Sequence, residues 1–254
     1  MQLHRRSFLH LAVGSVATAL AKSAAADASV TGSKINAIAF DAFTTFDPRP
    51  VFALAEQLFP GRGAELSNVW RTRQFEYQWL RALSGQYADF WQATEGALVF
   101  AANLLKLELT AQKRVALLEA YLAIKAWPDA APALRSLQQS GVRLALLSNA
   151  APDMLRAWIK NSALESVYEH VLSTDEIKTY KPDPRAYQMG IEAFRLAREQ
   201  IAFAAFGGWD VAGAKWFGYR TVWVNRLQVP VEELGVMPDA TGSTLQDVVD
   251  FVKA

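Results

Sequence analysis

The chain has 254 residues, 52% of them apolar and 20% charged, enough for one generous globular core or a core with a smaller lid, and unlike a disordered or fibrous chain. Its 26 basic and 25 acidic residues leave a formal charge of +1 without long runs of one sign, so the electrostatic footprint of a nucleic-acid binder is missing. The absence of cysteine removes thiol nucleophiles, disulfides and most structural zinc sites together.

Residues 1–28 read as a targeting segment: Arg5-Arg6 at a basic start, an apolar stretch over 8–20, then small residues with cleavage positions at 24–26 or 26–28. The apolar stretch is too short for a comfortable membrane span. Arg5-Arg6-Ser7-Phe8-Leu9, with Lys22 further on, resembles a twin-arginine export signal. This implies passage through the twin-arginine export machinery after folding, a periplasmic location, and no stable membrane span after processing. An uncleaved amphipathic anchor is the alternative. His4 and His10 fall in this segment, which leaves His170, at a strand edge, as the one histidine of the mature chain. Catalysis is therefore expected from carboxylates, Lys, Arg, Ser, Thr or Tyr.

Ile35-Asn36-Ala37-Ile38-Ala39-Phe40 is a short apolar run that ends abruptly in Asp41, the pattern of a buried parallel strand delivering a carboxylate to its C-terminal edge. Ligand chemistry in open α/β sheets takes place at that edge. From about residue 51 to 122 the pattern turns helical, with helices expected over 64–83, 90–105 and 110–122, the last opened by Thr110 as N-cap. After Trp127-Pro128 helices and strands alternate: helix 130–139 stopped by Gly141, strand 142–147, helix 154–160, strand 170–172, helix 184–196, strand 201–206, helix 211–217 and strand 221–224. The expected fold is α/β, a Rossmann-like three-layer parallel-sheet core (29–48 and 128–254) with an inserted all-helical cap (49–127).

Four of the core strands run into a polar cluster: Asp41, then Ser148-Asn149, then Lys181-Pro182-Asp183, then Asp210. Four such clusters in order resemble the four motifs of the haloacid dehalogenase superfamily. Phe40-Asp41-Ala42-Phe43-Thr44-Thr45, Trp70-Arg71 with the following Gln74 to Arg81, Leu147-Ser148-Asn149, Tyr180-Lys181-Pro182-Asp183-Pro184-Arg185-Ala186-Tyr187 and Trp209-Asp210-Val211-Ala212-Gly213-Ala214 are similar to the L-2-haloacid dehalogenases, cap included. That resemblance implies a hydrolase of short 2-haloalkanoic acids, a homodimer needing neither cofactor nor metal. Asp41 would attack the halogen-bearing carbon and form an ester that water opens, and Arg71 would receive the halide. Thr45, Ser148 and Asn149 would bind carboxylate oxygens, Lys181 would keep Asp41 ionised, and Tyr187 nearby would be a further substrate-binding residue. Phe43, Phe90 and Trp209 would wall an apolar pocket, and Asp210 would activate water.

Superfamily phosphatases carry a second Asp two residues after the nucleophile and an acidic cluster for magnesium. Here that place is Phe43, which cannot protonate a leaving alkoxide, so a magnesium-dependent phosphatase is a minor alternative. The dehalogenase pattern itself is altered: Ala205 and Gly207 stand where it has Ser and Asn, and Thr44 replaces a Gly. Backbone N–H groups of Gly207 and Gly208 are candidates to stand in. These losses keep open a second class of reading, a non-catalytic or single-turnover binding protein.

Overall fold

The computed structural model describes residues 34–254, which form one compact unit; the segment read as an export signal lies outside them. The elements run β1 (Ala37–Phe40), a four-residue helical turn α1 (Ala42–Thr45), α2 (Arg49–Leu58), α3 (Gly63–Ser84), α4 (Phe90–Leu104), α5 (Ala111–Leu122), α6 (Ala130–Gln139), β2 (Arg143–Ser148), α7 (Pro152–Asn161), β3 (His170–Ser173), α8 (Pro184–Phe194), β4 (Ile201–Ala205), α9 (Gly208–Phe217), β5 (Arg220–Val224), β6 (Ala240–Gly242) and α10 (Leu245–Lys253). The six strands form a single sheet in the order β3-β2-β1-β4-β5-β6, every pair parallel.

The two-residue period of the strands decides what each face of the sheet packs against. Ile38, Phe40, Leu144 and Leu146 point into an apolar cluster with Leu134 of α6, Leu155 of α7 and Val248 of α10. Ala37, Ala39, Ala145 and Leu147 point the other way, onto Tyr187 and Met189 of α8 and Val211 and Ala214 of α9. Both faces are covered, which is why these strands are apolar runs and do not alternate with polar residues.

Residues 49–122 contain helices and no strand, as the sequence leads one to expect. Trp70, Phe90 and Leu98 of α3 and α4 share one apolar cluster with the sheet residues Ile38 and Phe40, so the helical layer and the sheet have a continuous core. Three elements were not legible as separate units: α2, whose first turn holds Pro50, the short half-exposed β6, and α10. The register aligns Phe40 with Leu146 on one side and Ala204 on the other, so β1, β2 and β4 release the chain at the same edge of the sheet.

Candidate active site

At that edge the chain leaves β1 through Asp41, which caps α1 by accepting the Phe43 N–H on Oδ2 at 3.0 Å. Its other oxygen, Oδ1, accepts from Lys181 Nζ at 2.8 Å, and the same ammonium donates to Asp210 Oδ2 at 2.5 Å. Asp210 lies in the first turn of α9, and its Oδ1 accepts the Tyr187 hydroxyl at 2.7 Å. Asp41 is 8% exposed whereas Lys181 and Asp210 are both 0% exposed, so of this charged trio only Asp41 meets solvent.

The lysine is fixed from its backbone outward. Its N–H donates to Asn149 Oδ1 at 2.8 Å and its carbonyl accepts from the Trp79 indole of α3 at 3.1 Å. Asn149 in turn donates from Nδ2 to Gln78 Oε1, also on α3, at 3.0 Å. The helical layer thus sets the position of Lys181 through a buried chain of hydrogen bonds. Gly213 completes the arrangement: a Cβ there would stand 2.3 Å from the Tyr187 hydroxyl and 2.6 Å from Pro182 Cβ, so any other residue would push Tyr187 off Asp210.

Burial by itself would depress the Lys181 pKa, but Asp210 and Asp41 outweigh it, and the ammonium ends above its ordinary value. Burial pushes the Asp210 carboxyl up to about 6; Lys181 opposes the shift and Asp41 adds to it. Burial, reinforced by the charge of Asp210, holds the Tyr187 phenol well above its usual range, so it remains a donor.

Above Asp41 opens a cavity of about 380 Å³, within the range of small-molecule sites. Phe43, Phe90, Phe206 and Trp209 give it apolar walls, and Ser148, Asn149, Gly207 and Gly208 line it at the sheet edge. From α3, Asn68, Arg71, Thr72 and Phe75 line it, the i, i+3, i+4, i+7 spacing of one helix face. Arg71 has no carboxylate within ion-pair distance among the described residues; its guanidinium lies 5.2 Å from the Phe52 ring, and burial pushes its pKa below the ordinary value. A half-buried cation without a counter-ion, facing a cavity, could take up an anion there.

Two residues expected to touch substrate do not line this cavity. Thr45 is fully buried, its hydroxyl 2.8 Å from the Tyr168 hydroxyl, because the turn of α1 carries it beneath Phe43 and into the core. Tyr187 is fully buried behind Asp210 and acts on the site through it. Asn149 reaches the cavity, but its side chain is occupied by Lys181, Gln78 and Thr174. Ala205 packs on the α8 and α9 side, with nothing polar to offer. Sequence reasoning passed over Phe206, Asn68 and Thr72, and also Asn225, Leu227, Val229 and Glu232 in the loop after β5 that walls one flank. The helical spacing from Arg71 could have found Asn68 and Thr72; an irregular loop gives no periodic signal. His170 begins β3, beside Glu169 and three residues short of the edge where the site lies.

The model of the family described as haloacid dehalogenase-like hydrolase matches residues 16–218. Haloacetate dehalogenase H-2 of Moraxella sp. (strain B) is 42% identical over 220 residues, 86% of this chain and 98% of that protein. The crystal structure of an L-2-haloacid dehalogenase, 41% identical, superposes with a TM-score of 0.85 and covers 87% of this chain and all of the other. Another, the L-2-haloacid dehalogenase of Xanthobacter autotrophicus with chloropropionic acid covalently bound, is 34% identical with a TM-score of 0.80, covering 87% of this chain and 99% of that one. The sheet order, the buried carboxylate–lysine trio at its edge and these likenesses agree: the chain belongs to the haloacid dehalogenase-like hydrolases.

Proposed function

We propose that this protein hydrolyses the carbon–halogen bond of short 2-halo carboxylic acids through an ester on Asp41. The observation that carries the reading is Lys181, buried with its ammonium between Asp41 and Asp210, beneath a cavity whose far wall offers the unpaired Arg71. A carboxylate is ionised at neutral pH without a helper base, and its ester is labile enough to turn over. An Asp41 oxygen bonds to C2 as the halide departs with the electron pair toward Arg71. Water then adds to the carboxyl carbon of the ester as Asp210 takes a proton from it. The ester C–O bond breaks with that proton returned to the departing oxygen of the 2-hydroxy acid, and Asp41 is regenerated as the carboxylate with release of the remaining proton. Phe43, Phe90 and Phe206 keep bulk water from the displacement step. The names of the relatives, a haloacetate dehalogenase and 2-haloacid dehalogenases, support the substrate class.

A phosphatase reading finds less to work with. Phe43, not an acid, occupies the cavity wall beside Asp41, and the charge between the two carboxylates is supplied by Lys181. The test is halide release from L-2-chloropropionate by the protein in EDTA: repeated turnovers are expected, and no release from any short haloacid at high protein concentration defeats the proposal.

The Asp210 shift gives the reaction a pH dependence. Asp210 can take a proton from water only when ionised, so the steady-state rate should fall about tenfold per pH unit below the value near 6. The sign for stability is opposite. A carboxyl whose pKa is raised by folding binds its proton more readily in the folded state, so this group stabilises the fold more as the pH drops through that window. Activity should therefore decline below about 6 while the melting temperature, compared with that of Asp210→Asn, shows no loss of stability from this group; a rate that stays flat from about pH 7 to about pH 5 would contradict the assignment.

A further inference from the structure

The indole of Trp209 carries a polar function of its own. Five other tryptophans, Trp70, Trp79, Trp127, Trp158 and Trp223, donate their indole N–H to a backbone carbonyl. The Trp209 N–H donates to no acceptor among the described residues, although Trp209 lines the cavity above Asp41. The ring is not loose: Phe75 and Trp79 pack against it edge-on, with centroids at 5.3 and 5.5 Å. This packing turns Nε1 over Gly207, the N-cap of α9, where a Cβ would lie 2.7 Å from it. A carboxamide nitrogen stands about 2.4 Å from its own Cβ by standard bond lengths. The indole nitrogen therefore stands at nearly the distance from that position at which the nitrogen of a carboxamide on residue 207 would stand, and glycine is what gives it room.

We propose that the Trp209 N–H is the donor that holds the hydrolytic water for the second half of the reaction. It stands over Gly207 in the cavity that Asp41 and Gly207 also line. A water held there by the N–H is placed beside the ester before it reacts, and such placement removes much of the entropic barrier. The first half, displacement of halide by Asp41, has no need of this N–H. The inference rests on the dehalogenase reading above, which is why its test begins with the unaltered protein.

Trp209→Phe keeps an aromatic ring against Phe75 and Trp79 and deletes the donor. Rapid-quench measurement of halide from L-2-chloropropionate separates the first turnover from the steady state. The expected result is a ratio of steady-state to first-turnover rate lower by about 10²-fold than in the unaltered protein, with Asp41 isolated as its ester adduct and an unchanged melting temperature showing that the variant is folded. Equal steady-state rates in the two proteins, or a first turnover slowed as much as the later ones, overturn the inference and leave the dehalogenase reading standing. No halide from the unaltered protein overturns both.

Discussion

Replacing Asp41 with asparagine should lower halide release by roughly 10⁵-fold or more, the scale on which loss of a catalytic nucleophile is felt. The carboxamide is the same size, can still accept the Phe43 N–H at 3.0 Å, and leaves Lys181 paired with Asp210 at 2.5 Å. The fold should survive, because one full charge pair remains around the buried ammonium. What disappears is the negative oxygen that attacks carbon. Halide release is measured by ion chromatography over hours at high protein concentration, with melting temperature as the control; an asparagine variant retaining more than a hundredth of the rate would move the nucleophile elsewhere.

Lys181→Met should be nearly as damaging, and for two separable reasons. Lys181 is fully buried and its ammonium serves two carboxylates, so methionine leaves Asp41 and Asp210 facing each other without a counter-charge. Removing one partner from a buried ionic cluster costs about 3–5 kcal/mol of stability. Chemically, Asp210 loses the ammonium that opposes its upward shift, and the attacking Asp41 oxygen loses the donor that holds it at 2.8 Å. A rate loss of about 10³-fold is expected at neutral pH, partly recovered at alkaline pH, where Asp210 ionises again. Lys181→Arg should not rescue it, since the site is fully buried and a planar guanidinium is larger than the compact ammonium that serves both carboxylates. The pH–rate profile of the methionine variant checks the second reason, chemical denaturation the first.

Much of this site could be read from the chain because strand ends announce themselves. Phe40-Asp41 and the step from Ala205 to Asp210 each break an apolar run at the edge where ligands bind, and the parallel register brings them together. Which way a side chain points beyond the strand could not be read. Thr45 is four residues from Asp41 yet faces Tyr168, because the α1 turn rotates it inward. Tyr187 and Asn149 proved to be supports for Asp210 and Lys181, a distinction that depends on contacts across 23 and 32 residues of sequence. The α10 helix had a readable start in Thr244 and Asp247, whose carboxylate accepts the Thr244 N–H, but its nine residues carry a short signal. Gly207 in the altered last motif reads as a lost donor, and no periodic signal announces that the Trp209 indole nitrogen stands over it.

The most direct test of the central claim is a single turnover with protein in excess over L-2-chloropropionate in heavy-oxygen water, followed by peptide mass measurement. Water that opens an ester at its carboxyl carbon leaves its oxygen on the enzyme, so the heavy oxygen should be found in the Asp41 carboxylate while the hydroxy acid carries none. Heavy oxygen in the hydroxy acid, with Asp41 unlabelled, would mean that water attacks the substrate directly and would contradict the covalent role of Asp41.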